Sequence, residues 1–279
     1  MKNLASIIIL FFISANIVAQ TNMIIRKTDH SVISIPISEV DSVYYMPAGS
    51  FICGTQIMDI DSNTYGTVQI GAQCWMSENL RVTHYPNGDE IPYITDNTEW
   101  MELDDNNIDD AYCWYNNDSN TYANKYGGIY TYAAAIADNW QRDNVSDQGV
   151  CPDGWHLPSD EEWKTLEIYL GMSASDADLT GWRGTDQGSK LSNTASMWQD
   201  GNLEYNTNFG LSGFNAIPGG ARSYSNGTFY NLGVSGYYWY STEYDSEYAY
   251  NIYLNFDHAD SYRGHYYKSK GYYVRCIKD

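Results

Sequence analysis

The chain has 279 residues, enough for one large domain or two modest ones, and a formal net charge of −20 at pH 7. A surface this acidic repels phosphate backbones, so nucleic acid is not expected as a partner. The 27 tyrosines and 9 tryptophans exceed ordinary core needs. Tyrosine suits a wet contact surface and also exposed β-strands, and the composition favours the strands.

Residues 1–19 predict a secretory signal peptide. Lys2 precedes an apolar run, from Leu4 to Ile13, that is too short to span a bilayer. The nearest cysteine, Cys53, is far from the expected cleavage site, so a lipid anchor is not supported. No later stretch approaches the roughly 20 apolar residues of a membrane helix. The sequence therefore predicts a secreted or cell-surface protein with no transmembrane segment.

The rest of the chain divides into a short segment and a main domain. Residues 20–45 alternate in polarity and predict a β-rich segment, with "KTDH" as a hairpin turn. "MPAGS" at residues 46–50 interrupts the alternation and predicts a linker. The main domain then covers residues 51–279.

The stretch "MDIDSNTY" contains three oxygen-bearing residues at calcium-loop spacing. Asp59, Asp61 and Asn63 match the first three ligand positions of an EF-hand loop, but Thr64 and Ile70 replace its glycine and its bidentate glutamate. The pattern favours a polar hairpin turn, and calcium binding is the alternative. The histidines and cysteines lack metal-ligand spacing, so neither a zinc site nor a cofactor is expected.

The middle of the chain predicts loop and then helix. Residues 96–125 are rich in Asp, Asn and Tyr without an apolar period, which predicts a long solvated loop. Four apolar residues then recur at helical spacing and predict the buried stripe of a short helix: Ile129, Ala133, Ile136 and Trp140.

Residues 151–163, "CPDGWHLPSDEEW", concentrate acids around a histidine. Ser159 and Glu162 have the spacing of a capping box, and acids in a first helical turn are favoured by the helix dipole. His156 lies between a tryptophan and a leucine, as a packed histidine does. The segment therefore predicts a helix start and not a catalytic cluster, with an inward face formed by Trp163, Leu166 and Leu170.

The C-terminal third is rich in predicted strands. "AYNIYLNFD" alternates, which places one set of side chains on each face of a strand: Tyr250, Ile252, Leu254 and Phe256 against Asn251, Tyr253 and Asn255. "GYYVRCIK" predicts a final strand.

Seven blocks in order resemble the Fibrobacter succinogenes major paralogous domain: "DIDSNTYGTVQIGAQCWMSENLR", "YCWYNND", "YGGIYTYAAA", "CPDGWHLPSDEEWKTLEIYLG", "GFNAIPGGAR", "YWYSTE" and "YYVRCIKD". The resemblance covers about residues 51–279 and implies an exported bacterial module. More distantly, "WHLPSDEEW" and "VRC" resemble the C-type-lectin and formylglycine-generating-enzyme fold group. This implies an α+β, C-type-lectin-like domain with two main short helices, several antiparallel strands and long irregular loops.

The resemblance also implies the disulfide pairing. Cys53 and Cys74 flank the first hairpin, and Cys151 and Cys276 would tie the helix start to the last strand, as the long-range bridge does in lectin-like folds. Cys113 is then unpaired.

Three classes of function follow. A non-catalytic module that binds a glycan or a surface protein is the first, with candidate ligand-binding rings at Trp239, Tyr240, Tyr244 and Tyr248, although these rings fit sheet packing equally well. A structural component of a surface layer or appendage is the alternative. Catalysis is the third, and it lacks a G-x-S-x-G motif and the C-terminal cysteine pair that formylglycine generation needs. The sequence predicts no catalytic residue.

Overall fold

The computed structural model describes residues 22–26, 32–36, 38, 51–137 and 148–279. The predicted signal peptide, the "KTDH" turn and the linker at 46–50 lie outside these described residues. The chain divides into two compact units between Phe51 and Ile52.

The first unit contains one antiparallel strand pair, β1 (Asn22–Arg26) and β2 (Val32–Pro36). Ile25 lies opposite Ile33 in this pair. The pairing confirms the two strands that the alternating isoleucines predict.

The second unit mixes helices and antiparallel sheets, which confirms the predicted α+β class. Its strands are β3 (Ile57–Met58), β4 (Thr64–Tyr65), β5 (Thr67–Ile70), β6 (Gln73–Met76), β7 (Tyr112–Cys113), β8 (Ile129–Tyr130), β9 (Trp155–His156), β10 (Gly181–Arg183), β11 (Gly219–Arg222), β12 (Phe229–Leu232), β13 (Ser235–Glu243), β14 (Tyr248–Asn255), β15 (Ser261–Tyr267) and β16 (Ile277–Lys278). Its described α-helices are α1 (Asn97–Met101), α2 (Ser119–Tyr126), α3 (Tyr132–Ile136), α4 (Asp160–Tyr169), α5 (Ala174–Ala177), α6 (Gln187–Leu191) and α7 (Asn202–Tyr205). The closer likeness to a lectin fold stays a prediction.

The largest sheet has six strands in the order β10-β15-β14-β13-β11-β12. Its centre is formed by the antiparallel strands β13, β14 and β15, and β11 joins β13 in parallel through Gly220 and Gly236. A second sheet has the order β5-β6-β16-β9, so the last strand of the chain lies between two earlier ones.

Helix α4 connects the two sheets through the core. Its Trp163 ring lies 4.9 Å from Trp75 of β6, 5.4 Å from Tyr240 of β13 and 5.5 Å from Phe214, measured between ring centroids. Side chains alternate along a strand, so Tyr238 and Tyr240 face the helix while Tyr237 and Trp239 point the other way. We call the face of the six-stranded sheet that packs on α4 the inner face.

Residues 96–125 are only in part the solvated loop that their composition predicts. Residues 102–110 are irregular and none of them is buried, but the flanking residues form α1, β7 and most of α2 and bury Trp100 and Cys113 completely. The buried guanidinium of Arg222 lies 4.2 Å from the Trp100 ring and bonds the carbonyl oxygens of Ile94 and Thr95. Isolated rings held by an arginine distant in sequence give no local period, which is why the pattern predicts a loop.

The helix predicted from Ile129 to Trp140 is shorter than its apolar spacing suggests. Ile129 belongs to β8, and α3 ends at Ile136, where Ala137 takes a left-handed conformation at φ 53°. Trp140 lies outside the described residues. None of the described helices has both the length and the apolar character that a membrane span requires.

Candidate functional site

The side of the six-stranded sheet opposite the inner face carries a row of aromatic rings, one from each of four neighbouring strands. Tyr237 pairs in register with Tyr253, Tyr253 with Tyr262, and Tyr262 with Trp182. The ring centroids of the first two pairs are 5.2 and 4.4 Å apart, close to the spacing of the strands themselves. We call this set the aromatic row.

The three tyrosine rings of the row are tilted against one another, whereas Trp182 stands edge-on to Tyr262 at 78° and stacks on His258 at 3.5 Å. The planes of Tyr237, Tyr253 and Tyr262 differ by 34° and 31° in successive pairs. Tyr253, Tyr262 and Trp182 are half-buried. In the described part of the chain, no group bonds the hydroxyls of Tyr253 and Tyr262, so both are left to bind solvent or a ligand.

Next to Tyr237, at one end of the row, four tyrosine side chains surround Lys270 and form a cage. The Lys270 ammonium nitrogen lies 4.5 Å from the Tyr266 centroid, and three further rings lie within 6.0 Å of it: Tyr224, Tyr230 and Tyr272. Tyr272 also stacks on Tyr237 at 5.0 Å, which joins this cage to the row. We call the row and the cage together the aromatic face.

An unpaired amide lies beside the aromatic face, on the same side of β14 as Tyr253. Asn251 is fully buried, between Trp239 and Gly264 in the register of the sheet. Neither polar atom of its side chain has a hydrogen-bond partner among the described residues. An unsatisfied buried polar group costs about 1–3 kcal/mol, so a water or a ligand that reached this amide would be bound favourably.

For two of the four rings predicted to bind a ligand, the prediction of an exposed position is wrong. Trp239 and Tyr240 are completely buried, because β13 is an interior strand covered on both sides. The Trp239 indole donates a hydrogen bond to the carbonyl oxygen of Tyr130, and its ring packs on Tyr132 of α3. Tyr240 packs on the α4 helix, as described above.

The other two candidate rings lie near the end of the same hairpin. Tyr244 is 50% exposed and stacks on His265 at 3.7 Å, while Tyr248 is half-buried beside Tyr267. Neither belongs to the aromatic row. Their binding role stays a prediction.

The calcium-loop residues form the predicted turn between β3 and β4. Asp59 accepts hydrogen bonds from the backbone and side chain of Asn63 and from the Tyr65 hydroxyl. Asp61 accepts from Thr83 and binds the His84 ring at 2.6 Å. The two carboxylates are thus used by different protein partners, and no group of three or more metal-ligating residues assembles among the described residues.

A cavity of about 270 Å³ lies beside this turn and contains His84, Asp59 and Asp153. Its described lining includes no serine, and its cysteine, Cys151, is part of a disulfide. An aspartate–histidine pair without an adjacent nucleophile does not form the arrangement that acyl transfer requires.

The helix-start interpretation of residues 151–163 is confirmed. Ser159 and Glu162 form a complete capping box at the start of α4. His156 binds Glu162 at 2.8 Å and Asp279 at 2.8 Å. The hydrogen bond to Glu162 outweighs burial, and together with Asp279 it raises the pKa of His156 to about 8. The histidine therefore serves as a positive link between the helix start and the last residue.

Asp160 has a role that the helix dipole does not describe. It binds the Arg263 guanidinium of β15 through two bonds of 2.6 and 2.7 Å and also contacts Lys164. Burial acts to raise its pKa, but these two cations lower it overall. About two helix turns further, Glu167 pairs with Arg183 at 2.7 Å, and both are fully buried. Each inner-face acid therefore has a cationic partner on the sheet.

Both disulfides implied by the resemblance are present. Cys53 joins Cys74 and Cys151 joins Cys276, while Cys113 is free and buried. Burial raises the pKa of the Cys113 thiol to about 12, so it is inert near neutral pH. The longer bridge joins the segment before β9 to the segment before β16.

Sequence reasoning did not select the residues of the aromatic face. The alternation of β14 does place Tyr253 on the face away from Ile252, which was a usable signal. The partners of Tyr253 come from strands whose register depends on loops, and Lys270 lies in a turn with no strand pattern. A tyrosine on the polar side of an alternating strand is the cue that could have found the row.

Comparison with known proteins gives one family. A family model described as the Fibrobacter succinogenes major domain matches residues 68–278, which is 211 of the 279 residues. No curated protein and no solved structure matches significantly. The match includes the capping box, the second disulfide and all strands of the aromatic face. The chain belongs to the Fibrobacter succinogenes major domain family.

Proposed function

We propose that the protein is an exported or cell-surface binding module, without catalysis, that recognises glycans through its aromatic face. The observation that carries the proposal is the row of Trp182, Tyr262, Tyr253 and Tyr237 across four strands. Three of these rings are half-buried, although a sheet of this size has enough other side chains to cover its core.

The chemistry of the row suits a polar ligand with apolar patches. Tyrosine offers a rigid apolar body and a hydroxyl that both donates and accepts, and it loses little conformational entropy on binding. Sugars present the same combination of C–H surfaces and hydroxyl groups. Burial raises the pKa of Tyr253, with neighbouring tyrosines adding to the effect, so its hydroxyl stays protonated and can donate.

The unpaired Asn251 amide supports the same face. Ring movement at Tyr262, which lies over Gly264, would let a ligand hydroxyl or an ordered water reach the amide. A polar ligand would then relieve an unsatisfied group that the free protein has to carry.

The lining of the cavity beside His84 supports the proposal of a non-catalytic module. The described lining offers an acid and a base but no hydroxyl or thiol nucleophile. Export is supported by two disulfides, since such bonds persist in oxidising compartments, and by the predicted signal peptide at residues 1–19.

A glycan array followed by calorimetry tests the proposal. We expect the wild type to bind at least one carbohydrate and Tyr253→Thr to lose about tenfold in affinity, since an aromatic contact contributes about 0.5–1.5 kcal/mol. Threonine keeps the strand propensity. Tyr169→Thr is the control, because Tyr169 is 64% exposed on α4, away from the aromatic face.

Three outcomes would contradict the proposal in whole or in part. Equal binding by the wild type and Tyr253→Thr would remove the aromatic face as the site. No signal on any carbohydrate, together with self-association in ultracentrifugation, would favour the structural or assembly function. Saturable binding to a surface protein, lost in Tyr253→Thr, would keep the site and replace the ligand class.

A further inference from the structure

Lys270 is held by aromatic rings and not by acids. Its ammonium group lies within 6.0 Å of four tyrosine ring centroids and donates one hydrogen bond, 3.1 Å long, to the Tyr230 hydroxyl. Ring faces attract a cation but accept no strong hydrogen bond. An ammonium has three donors, so two of them find no partner in the described part of the chain.

This arrangement is unusual in a chain with 35 acidic residues. Lys164, for comparison, binds three carboxylates within 3.0 Å: Asp160, Glu161 and Asp178. Lys270 forms no ion pair with any described residue. Arg222 and Arg275 are buried and also lack a described carboxylate partner, but backbone carbonyl oxygens bond their guanidinium groups. The described contacts of the Lys270 ammonium are rings and one hydroxyl, so it retains bonding capacity for an anion.

We propose that Lys270 binds the carboxylate of an acidic sugar, a uronate residue, whose ring lies along the aromatic row. The proposal rests on the glycan-binding function and names its substrate class. The row would contact the sugar ring and its hydroxyls, while the two unused ammonium donors would bind the carboxylate oxygens. A charge-assisted bond of this kind contributes roughly twice as much as a neutral one.

The ionisation of Lys270 agrees with this geometry. Burial lowers the pKa of Lys270 to about 8, and no acid of the described residues pairs with the amine to oppose the shift. At pH 7 roughly nine-tenths of the amine is therefore charged, and that fraction falls above pH 8. A bound carboxylate would favour the charged form, so binding takes up a proton and weakens as the pH rises.

The acidity of the whole protein sets the size of the ligand. A net charge of −20 repels a long polyanion, but at physiological salt charges beyond about 8 Å are largely screened. A short oligomer is thus the appropriate probe, and we choose trigalacturonate together with its methyl ester. The ester has the same rings and ring hydroxyls, and each charged carboxylate is replaced by an uncharged methyl ester.

Calorimetry at pH 7 compares the two sugars on three proteins. We expect the wild type to bind the acid at least tenfold more tightly than the ester, and Lys270→Met to bind both equally. Methionine keeps the unbranched apolar stem inside the cage. Lys125→Met is the control, because Lys125 also lies over a tyrosine, at 5.1 Å from Tyr126, but outside the aromatic face. It should keep the tenfold preference.

The outcomes separate this inference from the function on which it rests. A preference for the acid that survives in Lys270→Met, or no preference in the wild type, overturns the role of Lys270 while leaving glycan binding intact if the ester or an array sugar binds. Failure of every sugar overturns both. Unchanged near-ultraviolet circular dichroism and melting temperature in Lys270→Met would show that the variant folds, so its binding result decides the question.

Discussion

The two faces of the six-stranded sheet differ in whether their charged and polar side chains have ion-pair or hydrogen-bond partners. On the inner face, the acids of α4 meet cations of the sheet: Asp160 binds Arg263, and Glu167 binds Arg183. On and beside the aromatic face, a lysine and an amide, Lys270 and Asn251, have no such partners among the described residues.

The difference shows which polar groups stabilise the folded state. A buried ion pair is complete in itself, so its loss changes stability. A polar group without a protein partner adds nothing to folding and retains its bonding capacity for a ligand. The inner face also carries buried atoms without a hydrogen-bond partner among the described residues, such as the Tyr240 hydroxyl and the Trp163 indole nitrogen. The two faces therefore differ in how charge is paired, because the inner face gives its buried acids cationic partners and the aromatic face leaves Lys270 without a described counter-ion.

The largest expected effect is on the inner face. Glu167→Leu leaves the Arg183 guanidinium buried without a counter-ion and removes the acceptor of the Ser261 hydroxyl. We expect a loss of about 3–5 kcal/mol in the free energy of unfolding, measured by urea denaturation. Glu161→Gln, on the exposed side of the same helix, should change it by less than about 0.5 kcal/mol. Equal losses in the two variants would refute the comparison.

A smaller effect concerns pH. The His156 pKa of about 8 in the folded protein exceeds its ordinary value of 6.5, so the folded state binds the proton more tightly. The stabilisation is fully present below pH 6.5 and is lost as the pH rises through 8. Because the ring and its Asp279 partner are partly exposed, solvent screening reduces the corresponding stabilisation to about 1 kcal/mol. Urea denaturation of the wild type and His156→Gln between pH 6 and 9 should show the two converging with rising pH; parallel curves would mean that His156 is not linked to stability.

The smallest effect is expected on the aromatic face, and adjacent residues of β14 measure it directly. Tyr253→Ala loses two cross-strand ring contacts and should cost about 1 kcal/mol, since each pair contributes about 0.2–1 kcal/mol. Ile252→Ala, one residue earlier and fully buried, should cost about 2–5 kcal/mol. If Tyr253→Ala were as destabilising as Ile252→Ala, the aromatic face would be a second core.

Local patterns were sufficient for the elements that depend on neighbours in sequence. Ser159 and Glu162 are three residues apart and form their capping box without help from elsewhere. The alternation of β14 likewise follows from one strand. The disulfides were accessible through the family resemblance, since the pattern of five cysteines does not choose a pairing.

Elements that depend on distant partners were not predictable in the same way. Trp100 is buried because Arg222 covers it, and Trp239 is buried because α3 covers it. Neither partner is visible from the local sequence. Predicting the site would have required the register of four strands and the position of the turn at Lys270. Composition shows an excess of tyrosine but not which tyrosine rings lie next to one another.

Hydroxyl-radical footprinting with mass spectrometry, with and without the tightest-binding glycan, tests the central claim most directly. The account predicts that the ligand protects Tyr253, Tyr262 and Tyr266 from oxidation, while Tyr169 and Tyr205, exposed elsewhere, react at unchanged rates. Protection of Tyr169 or Tyr205, with the three rings of the aromatic face unaffected, would contradict it.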